Sequence, residues 1–175
     1  MNWSPENDNT PAGTEFSQNL ELLRGLPFFA GMPLQALKII VYLCSREVFE
    51  PKDVLFQQGD DDGQAILVVS GTANLTHKHD DRTYLLRQIV PGEFIGGLSL
   101  MCTEPKLYTA QVSTPMTCLV LERGKFSHVM EEYPEIRFKA LKAITNSIFH
   151  WEQRLLRQAA ELTDPLNQIV GVSLL

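Results

Sequence analysis

The chain has 175 residues, 44% of them hydrophobic and 21% charged, which is typical of one soluble globular domain with its own core. Its formal net charge of −6 disfavours direct nucleic-acid binding, which depends on neutralising phosphates. Because no apolar run approaches the roughly 20 residues of a spanning helix and no signal-peptide pattern is present, we expect a cytoplasmic protein without a membrane partner.

The cysteine pattern agrees with that compartment. Cys44, Cys102 and Cys118 are widely spaced and adjoin apolar residues. Three cysteines cannot all pair with one another, so we expect reduced, buried thiols, as in cytosolic proteins.

The N-terminal part of the chain divides into a polar tail and a helical region. Residues 1–18 contain three acidic residues and no Lys or Arg, and we predict a disordered tail there. Residues 19–46 predict two helices, broken at Gly25-Leu26-Pro27. The second helix is expected to open after Pro33, because apolar residues then recur at spacings of three.

Between residues 47 and 121 the pattern changes to short β-type runs separated by turn signals. Ser70-Gly71 and Thr114-Pro115 are two of these signals, and Pro91-Gly92 is a third. Roughly eight short strands at this spacing indicate a sandwich or barrel. The alternation of strands and helices that a parallel α/β fold requires is absent from the sequence.

Residues 122–162 predict two further helices, a short one over Arg123–Glu132 and a long one that opens at Pro134. The long helix carries an apolar stripe with a coiled-coil-like rhythm: Leu141, Ile144, Ile148, Trp151 and Leu155. The stripe either packs on the barrel or forms the seam of a dimer, and we predict a homodimer through this helix. Residues 163–175 form a C-terminal tail that ends in apolar residues.

Several motifs stand in a distinctive order along residues 19–162: Leu26–Phe29, Phe56–Asp60, Ile66–Gly71, Pro91–Phe94 and Phe126–Pro134. Together they resemble the cyclic-nucleotide-binding domain, the sensor of catabolite activators and protein-kinase regulatory subunits. The resemblance implies a mainly β fold, a double-stranded β-helix (jelly-roll) barrel with N-terminal helices and a long C-terminal helix. Gly59, Gly71 and Gly92 fall where that family has barrel-corner glycines, and tight corners need the positive φ that glycine supplies cheaply.

The working part of the family is a phosphate-binding cassette, which consists of a glycine-led turn, a short helix and a downstream arginine. Backbone amides at the turn and the one cation bind a cyclic phosphate there. By resemblance, the ligand-binding positions of this chain are Phe94, Gly96, Gly97, Leu98, Ser99, Lys106, Leu107 and Tyr108.

The cassette departs from the family at two positions. Gly97 stands where the family has a ribose-binding glutamate, and the loss removes a hydrogen bond of about 1.5–3 kcal/mol. Lys106 replaces the phosphate-binding arginine and lacks its bidentate fork. Leu107 and Tyr108 are bulkier than the residues usual there and could fill the pocket. We therefore expect a cyclic nucleotide or another small anionic ligand to bind in a weakened or altered way, and we expect no cofactor.

Other interpretations of these residues stay open. In the plainest one, Gly96-Gly97 is only a turn and Lys106 is a solvated surface lysine. In another, Glu93 replaces the missing carboxylate, although an exposed glutamate at a strand end is the simpler interpretation.

A cupin-like metal site is the rival interpretation of the same barrel. His77 and His79 would share one face of a strand and could offer two nitrogens to a metal. Thr83 and Tyr84 stand where the motif requires glutamate, so we predict no metal site. Because no nucleophile–base arrangement can be recognised either, we predict that the chain is not an enzyme.

The sequence thus predicts a ligand-sensing regulatory domain that signals to an effector protein through its C-terminal helix. The alternative is a ligand-free scaffold for dimerisation or interaction. A transcription regulator of the catabolite-activator type is less favoured, because the 11 residues after Asp164 are too few for its DNA-binding domain.

Overall fold

A computed structural model describes residues 11–161, apart from the side chains of residues 11, 12, 151, 154, 155 and 158–161. The helices are α1 (Pro11–Gly25), α2 (Leu34–Leu43), α3 (Arg123–Glu132) and α4 (Glu135–Glu161). The strands are β1 (Ser45–Phe49), β2 (Val54–Phe56), β3 (Gln64–His79), β4 (Arg82–Ile89), β5 (Phe94–Ile95) and β6 (Thr109–Glu122). Two 3₁₀ turns, Pro27–Phe29 and Gly97–Leu100, lie between them. The predicted tail over 163–175 and the first ten residues lie outside the described part.

The strands form one antiparallel sheet that folds on itself as a jelly-roll barrel. Its strand order is β1-β6-β3-β4, with β2 also paired to β6 and β5 to β3. The long strands β3 and β6 pair from Gln64 opposite Glu122 to Thr76 opposite Thr109. The predicted fold class, a mainly β barrel with flanking helices, is confirmed.

The number of strands differs from the prediction because two expected turns are bends inside long strands. Gly71 has φ +80° within β3, and the pairing register shifts on both sides of it. On the facing strand β6, Thr114 Oγ1 accepts a hydrogen bond from the backbone N–H of Thr72 in β3 (2.9 Å). A bulge lets a strand turn a corner without leaving the ladder, so glycine and proline here mark bends rather than chain reversals.

Helix α1 begins at Pro11, so the predicted disordered tail over residues 1–18 is wrong for residues 11–18. Phe16 and Leu20 are half-buried against the helical core, and Leu23 is fully buried. These three residues are spaced by four and three positions, so they lie on one face of the helix. Burial of that face stabilises the helix although the rest of the segment is polar. A composition argument alone could not detect this single apolar face.

The continuous apolar runs of β3 and β6 arise because both faces of these strands are buried. In β3, Ile66 and Val68 belong to a cluster inside the barrel, whereas Ala65 and Leu67 belong to a cluster under the helices. A strand covered on both faces loses the usual polar alternation. The cassette turn lies at the boundary between the two clusters, since Leu100 packs with the helical cluster and Ile95 with the barrel cluster.

The long helix α4 is fixed to the domain by its first turns. Ile136 and Ala140 are fully buried, and Ile144 is partly buried against the helical cluster. Lys139 donates a hydrogen bond from Nζ to the carbonyl of Gly31. Among the helices over residues 11–161, none combines the length and the apolar character needed to cross a membrane.

The bend at Gly71 gives a test of the fold. A Cβ at this position would collide with the Pro115 carbonyl and lie 2.6 Å from Met116 Cα. We expect Gly71→Ala to lower the free energy of unfolding by about 3 kcal/mol or more in urea titrations.

Gly92→Ala is the matched control, because Gly92 also has a positive φ (+87°) but no atom within 4 Å of the added Cβ. Gly92→Ala should lower the free energy of unfolding by only about 1–2 kcal/mol, the cost of the backbone strain. Equal losses in the two variants would contradict a role for close strand approach at Gly71.

Candidate functional site

The cassette turn follows β5 and depends on glycine at its first position. Gly96 is left-handed (φ 79°, ψ 11°) and precedes the 3₁₀ turn, in which the Ser99 N–H donates to the Gly96 carbonyl (2.9 Å). A Cβ at Gly96 would lie 2.6 Å from the Gln64 carbonyl oxygen and 3.0 Å from Lys106 Nζ. Glycine therefore allows both the turn and the close approach of Lys106.

Lys106 is the central charged group of the site, and its side chain is only 5% exposed. Its Nζ lies 2.8 Å from the Gln64 carbonyl oxygen and 3.0 Å from Ser99 Oγ, to both of which it donates. It also forms an ion pair with Asp62 Oδ1 at 3.1 Å and lies 4.5 Å from the centre of the Phe56 ring. Two of the three ammonium hydrogens are thus donated to protein oxygens, and the Asp62 carboxylate balances the charge. The interpretation of Lys106 as a solvated surface lysine is wrong.

The backbone of Lys106 is attached to the loop that supplies its partner. The Lys106 N–H donates to the Asp60 carbonyl, and the Lys106 carbonyl accepts from the Gly59 N–H, both at 2.8 Å. Gly59 has φ +95° at this loop, the barrel-corner conformation expected from the sequence. The loop between β2 and β3 therefore holds Asp62 beside Lys106 through main-chain contacts as well as charge.

A second ion pair reaches the same turn. Arg123, the first residue of α3, donates from Nε to the carbonyl of Ser99, and its guanidinium pairs with Asp61. The Arg123 hydrogen bond lowers the pKa of Asp61 below its usual range and raises that of Arg123. Adjacent aspartates thus bind two cations that both hold Ser99. We call Asp61, Asp62, Lys106 and Arg123 the Ser99 clamp.

Three members of this clamp have only a weak signal in the sequence. Asp61 and Asp62 belong to an acidic run after Gly59, and Arg123 opens a helix. Such charges usually mark solvated surface. Only the folded chain brings them to the cassette.

Gly97, which the sequence resemblance predicts to stand in place of a ribose-binding glutamate, adjoins two aromatic rings. A Cβ there would lie 3.1 Å from the rings of Phe28 and Phe94, whose centroids are 5.1 Å apart. Any side chain at this position would therefore begin against those two rings. Leu98, the next residue, is largely exposed.

Leu107 and Tyr108, which could fill the pocket according to the sequence, lie in different surroundings. Leu107 is 71% exposed. Tyr108 packs against the barrel cluster with its ring 5.7 Å from that of Phe56, and burial raises its pKa. Only Tyr108 therefore contributes to filling the barrel.

Glu93 does not replace the missing carboxylate in this structure. Its two oxygens accept from Arg87 Nη1 at 2.6 and 2.9 Å, and one also accepts from the Val90 N–H (2.9 Å). These bonds close the turn between β4 and β5. Glu93 is committed to this turn rather than to the cassette.

The histidine pair does not form a metal site with a third ligand. The rings of His77 and His79 are stacked 6.4 Å apart, and His77 Nδ1 lies 2.8 Å from the carbonyl oxygen of Leu107. Within the described part of the chain, no three potential metal ligands cluster.

The three cysteines are free thiols. Burial raises the pKa of Cys44 and of Cys118 to about 12. Because the thiolate is the reactive form, these two thiols are held in their unreactive state at neutral pH.

The jelly-roll barrel, the glycine-led 3₁₀ turn and the cation beside it match one family. Residues 46–133, half of the chain, match the sequence model described as "Cyclic nucleotide-binding domain". The chain belongs to this family. The cyclic nucleotide-binding domain is a regulatory ligand-binding module, in agreement with the resemblance found in the sequence.

Relatives of known name contain this domain within longer proteins. Potassium channel KAT3 of Oryza sativa subsp. japonica is 24% identical over 114 residues, which cover 65% of this chain and 23% of the channel. Acetyltransferase Pat of Mycolicibacterium smegmatis is 29% identical over 108 residues, which cover 62% of this chain and 32% of that protein. The chain therefore spans less than a third of the length of these two curated relatives.

A solved structure shows the same fold over most of the chain. The crystal structure of a cyclic nucleotide-binding domain from Methylobacillus flagellatus superposes with a TM-score of 0.71 at 16% identity, and the match covers 87% of each chain. At this identity the likeness establishes the fold of the cyclic nucleotide-binding domain and leaves its ligand undetermined.

The Asp61–Arg123 pair predicts an acid-sensitive part of the stability. The pKa of Asp61 is lower in the folded than in the unfolded chain, so its ionised form stabilises the domain above the ordinary aspartate range of about 3.9. This stabilisation is lost as the pH falls through the folded pKa. We expect Asp61→Asn to be less stable than wild type at neutral pH, with the difference closing in acid, as measured by urea unfolding across pH.

Asp81→Asn, at the exposed tip of the β3–β4 hairpin, removes the same charge away from Arg123 and serves as the control. A difference between Asp61→Asn and wild type that stays constant down to strong acid would contradict the pairing.

Proposed function

We propose that this domain is a regulatory sensor in which cyclic-nucleotide binding is weakened and which signals to an effector protein through α4. The observation that carries the proposal is the state of Lys106. Its Nζ already donates to Gln64 O and Ser99 Oγ, and its charge is paired with Asp62 Oδ1. A ligand phosphate would have to replace one of them.

The change from arginine to lysine explains why this matters. A guanidinium has five N–H donors and could hold a carboxylate and a phosphate together. The ammonium of Lys106 has only three: two hydrogens are donated to Gln64 O and Ser99 Oγ, and the charge is paired with Asp62. The substitution therefore leaves the cation with fewer donors for a second anion.

A second contact, the one to the ribose of a nucleotide, is also weakened, and this does not depend on Lys106. Gly97 offers no carboxylate, its position faces aromatic rings, and Glu93 is engaged by Arg87. The missing charged hydrogen bond corresponds to roughly one to two decades of affinity. An anionic ligand of different shape remains compatible with the proposal.

The proposed output passes from the cassette to α4 through an aromatic contact. Phe94, at the start of the cassette, packs on Phe28 and Phe29 of the first 3₁₀ turn, with ring centroids 5.1 and 5.2 Å apart. That turn packs in turn against α4. A shift of the cassette would therefore change the support under α4 and bias its orientation.

A homodimer through α4 is part of the proposal, with a seam that differs from the predicted one. Ile144 packs on the helical core, and the side chains of Trp151 and Leu155 lie outside the described part. The exposed face of α4 instead presents other apolar residues.

These are Phe138 (73% exposed), Leu141 (54%) and Ile148 (44%). Together with Thr145 they occupy positions 138, 141, 145 and 148, the coiled-coil spacing of three, four and three. Thr145 satisfies its hydroxyl by donating to the Leu141 carbonyl (2.9 Å).

A ligand-free interaction scaffold is the second candidate, and the Ser99 clamp favours it. The clamp holds the cassette turn with side chains of this chain, since Lys106 donates to Ser99 Oγ and Arg123 donates to the Ser99 carbonyl. In both candidates we propose a non-enzymatic domain that acts in the cytoplasm, where its free thiols stay reduced.

Calorimetric titration of the full chain with cyclic AMP, cyclic GMP and cyclic dinucleotides tests the proposal. We expect affinity at least about tenfold below that of a cassette with the ribose carboxylate intact, because one charged hydrogen bond is missing. Tight, saturable binding that Lys106→Gln abolishes would contradict weakened binding. Lys78→Gln, which removes an exposed lysine, is the matched control.

The oligomeric state tests the α4 seam. Leu141→Glu should convert a dimer to a monomer, because it places a charge in the centre of the proposed apolar seam. Sedimentation equilibrium measures the change. Asn146→Glu, at an exposed polar position on another face of α4, should leave the dimer intact, and a monomeric wild type would overturn the seam.

A further inference from the structure

We infer that this chain contains an oxyanion-binding site that its own Asp62 carboxylate occupies, in the place where a small ligand's phosphate would otherwise meet Lys106 and Ser99. The inference rests on the proposed function, since it gives a physical reason for a cassette closed to nucleotides. It goes further by predicting that the site accepts a free oxyanion once Asp62 is removed.

The donors around the Asp62 carboxylate are those of an anion site. Asp62 Oδ1 is paired with Lys106 Nζ at 3.1 Å and accepts from the backbone N–H of Gln64 at 2.9 Å. The Ser99 hydroxyl lies 3.0 Å from the same ammonium. A buried cation, a backbone amide and a hydroxyl at one point are the groups that bind phosphate oxygens in proteins.

The carboxylate is incompletely matched to its surroundings. Asp62 Oδ2 is buried and has no hydrogen-bond partner. A buried polar atom without a partner carries a desolvation cost, so the carboxylate is held there through its charge and one oxygen only. Removal of Asp62 would leave the buried ammonium of Lys106 without a counter-charge, which is a strong demand for another anion.

The Asp62 side of this site adjoins a solvent cleft, which would lead to Lys106 once the Asp62 side chain is removed. A cleft of about 320 Å³ opens beside Asp62, lined by residues 61–64 and 122–124. The other charges at the cleft are balanced locally, because Asp61 pairs with Arg123 and Glu122 with Lys125. Once Asp62 is neutralised, Lys106 is the cation that remains unpaired among these groups.

The test compares thermal unfolding of the full chain in sodium phosphate and in sodium chloride at matched ionic strength. Asp62→Ala should unfold at a lower Tm than wild type in chloride and should show a saturable rise in Tm with phosphate. The rise should disappear when Lys106→Gln is added. Wild type should show only the general effect of phosphate on protein stability, without saturation.

Asp60→Ala is the matched control, because it removes an exposed carboxylate from the same loop and leaves the Asp62–Lys106 pair in place. If Asp62→Ala does not fold in chloride, Asp62→Asn decides the test, since it keeps an acceptor for the Gln64 N–H and loses only the charge. A folded Asp62 variant whose phosphate response equals that of Asp60→Ala overturns the inference. That result would not contradict the proposed weak nucleotide binding of the wild type, because calorimetry on the unmodified chain tests that proposal separately.

Discussion

The buried charge of Lys106 is the constraint around which this end of the molecule is organised. An ammonium removed from water costs several kcal/mol unless it is paired and fully hydrogen-bonded. The fold meets this requirement with a carboxylate from one loop, a carbonyl from β3 and a hydroxyl from the cassette turn. Gly96 must be glycine because its backbone adjoins both the Gln64 carbonyl and the ammonium. One charge therefore ties three separate segments together.

The barrel supplies the framework that makes such a contact possible. Because β3 and β6 are covered on both faces, the sheet separates a barrel core from a helical core. The cassette turn lies where these cores meet, and Arg123 extends the connection to α3. The first 3₁₀ turn then links the aromatic side of the cassette to α4. Charge on one side and aromatic packing on the other thus connect the cassette to both C-terminal helices.

Within the cyclic nucleotide-binding domain family, this chain keeps the scaffold and alters the chemistry at its centre. A cation remains at the cassette, but the groups that would face a ligand phosphate are partnered by the chain itself. An arginine has five donors and can bind two anions, whereas a lysine has three, and those of Lys106 face Asp62, Ser99 and Gln64. The proposed weakening of nucleotide binding follows from this difference.

Local periodicity, φ preference and motif order were enough to predict the fold class, the corner glycines and the helix after Pro134. The other features depend on contacts between distant segments. Residues 11–18 are helical despite their polar composition, because Phe16 packs on the helical core. Gly71 is a bend rather than a chain reversal, because its strand continues in the ladder. Asp62 lies 44 positions before Lys106 in the chain and pairs with it because the loop between β2 and β3 lies beside the cassette. Ion pairs between distant segments leave no periodic trace in a sequence, since nothing local distinguishes a buried aspartate from a solvated one.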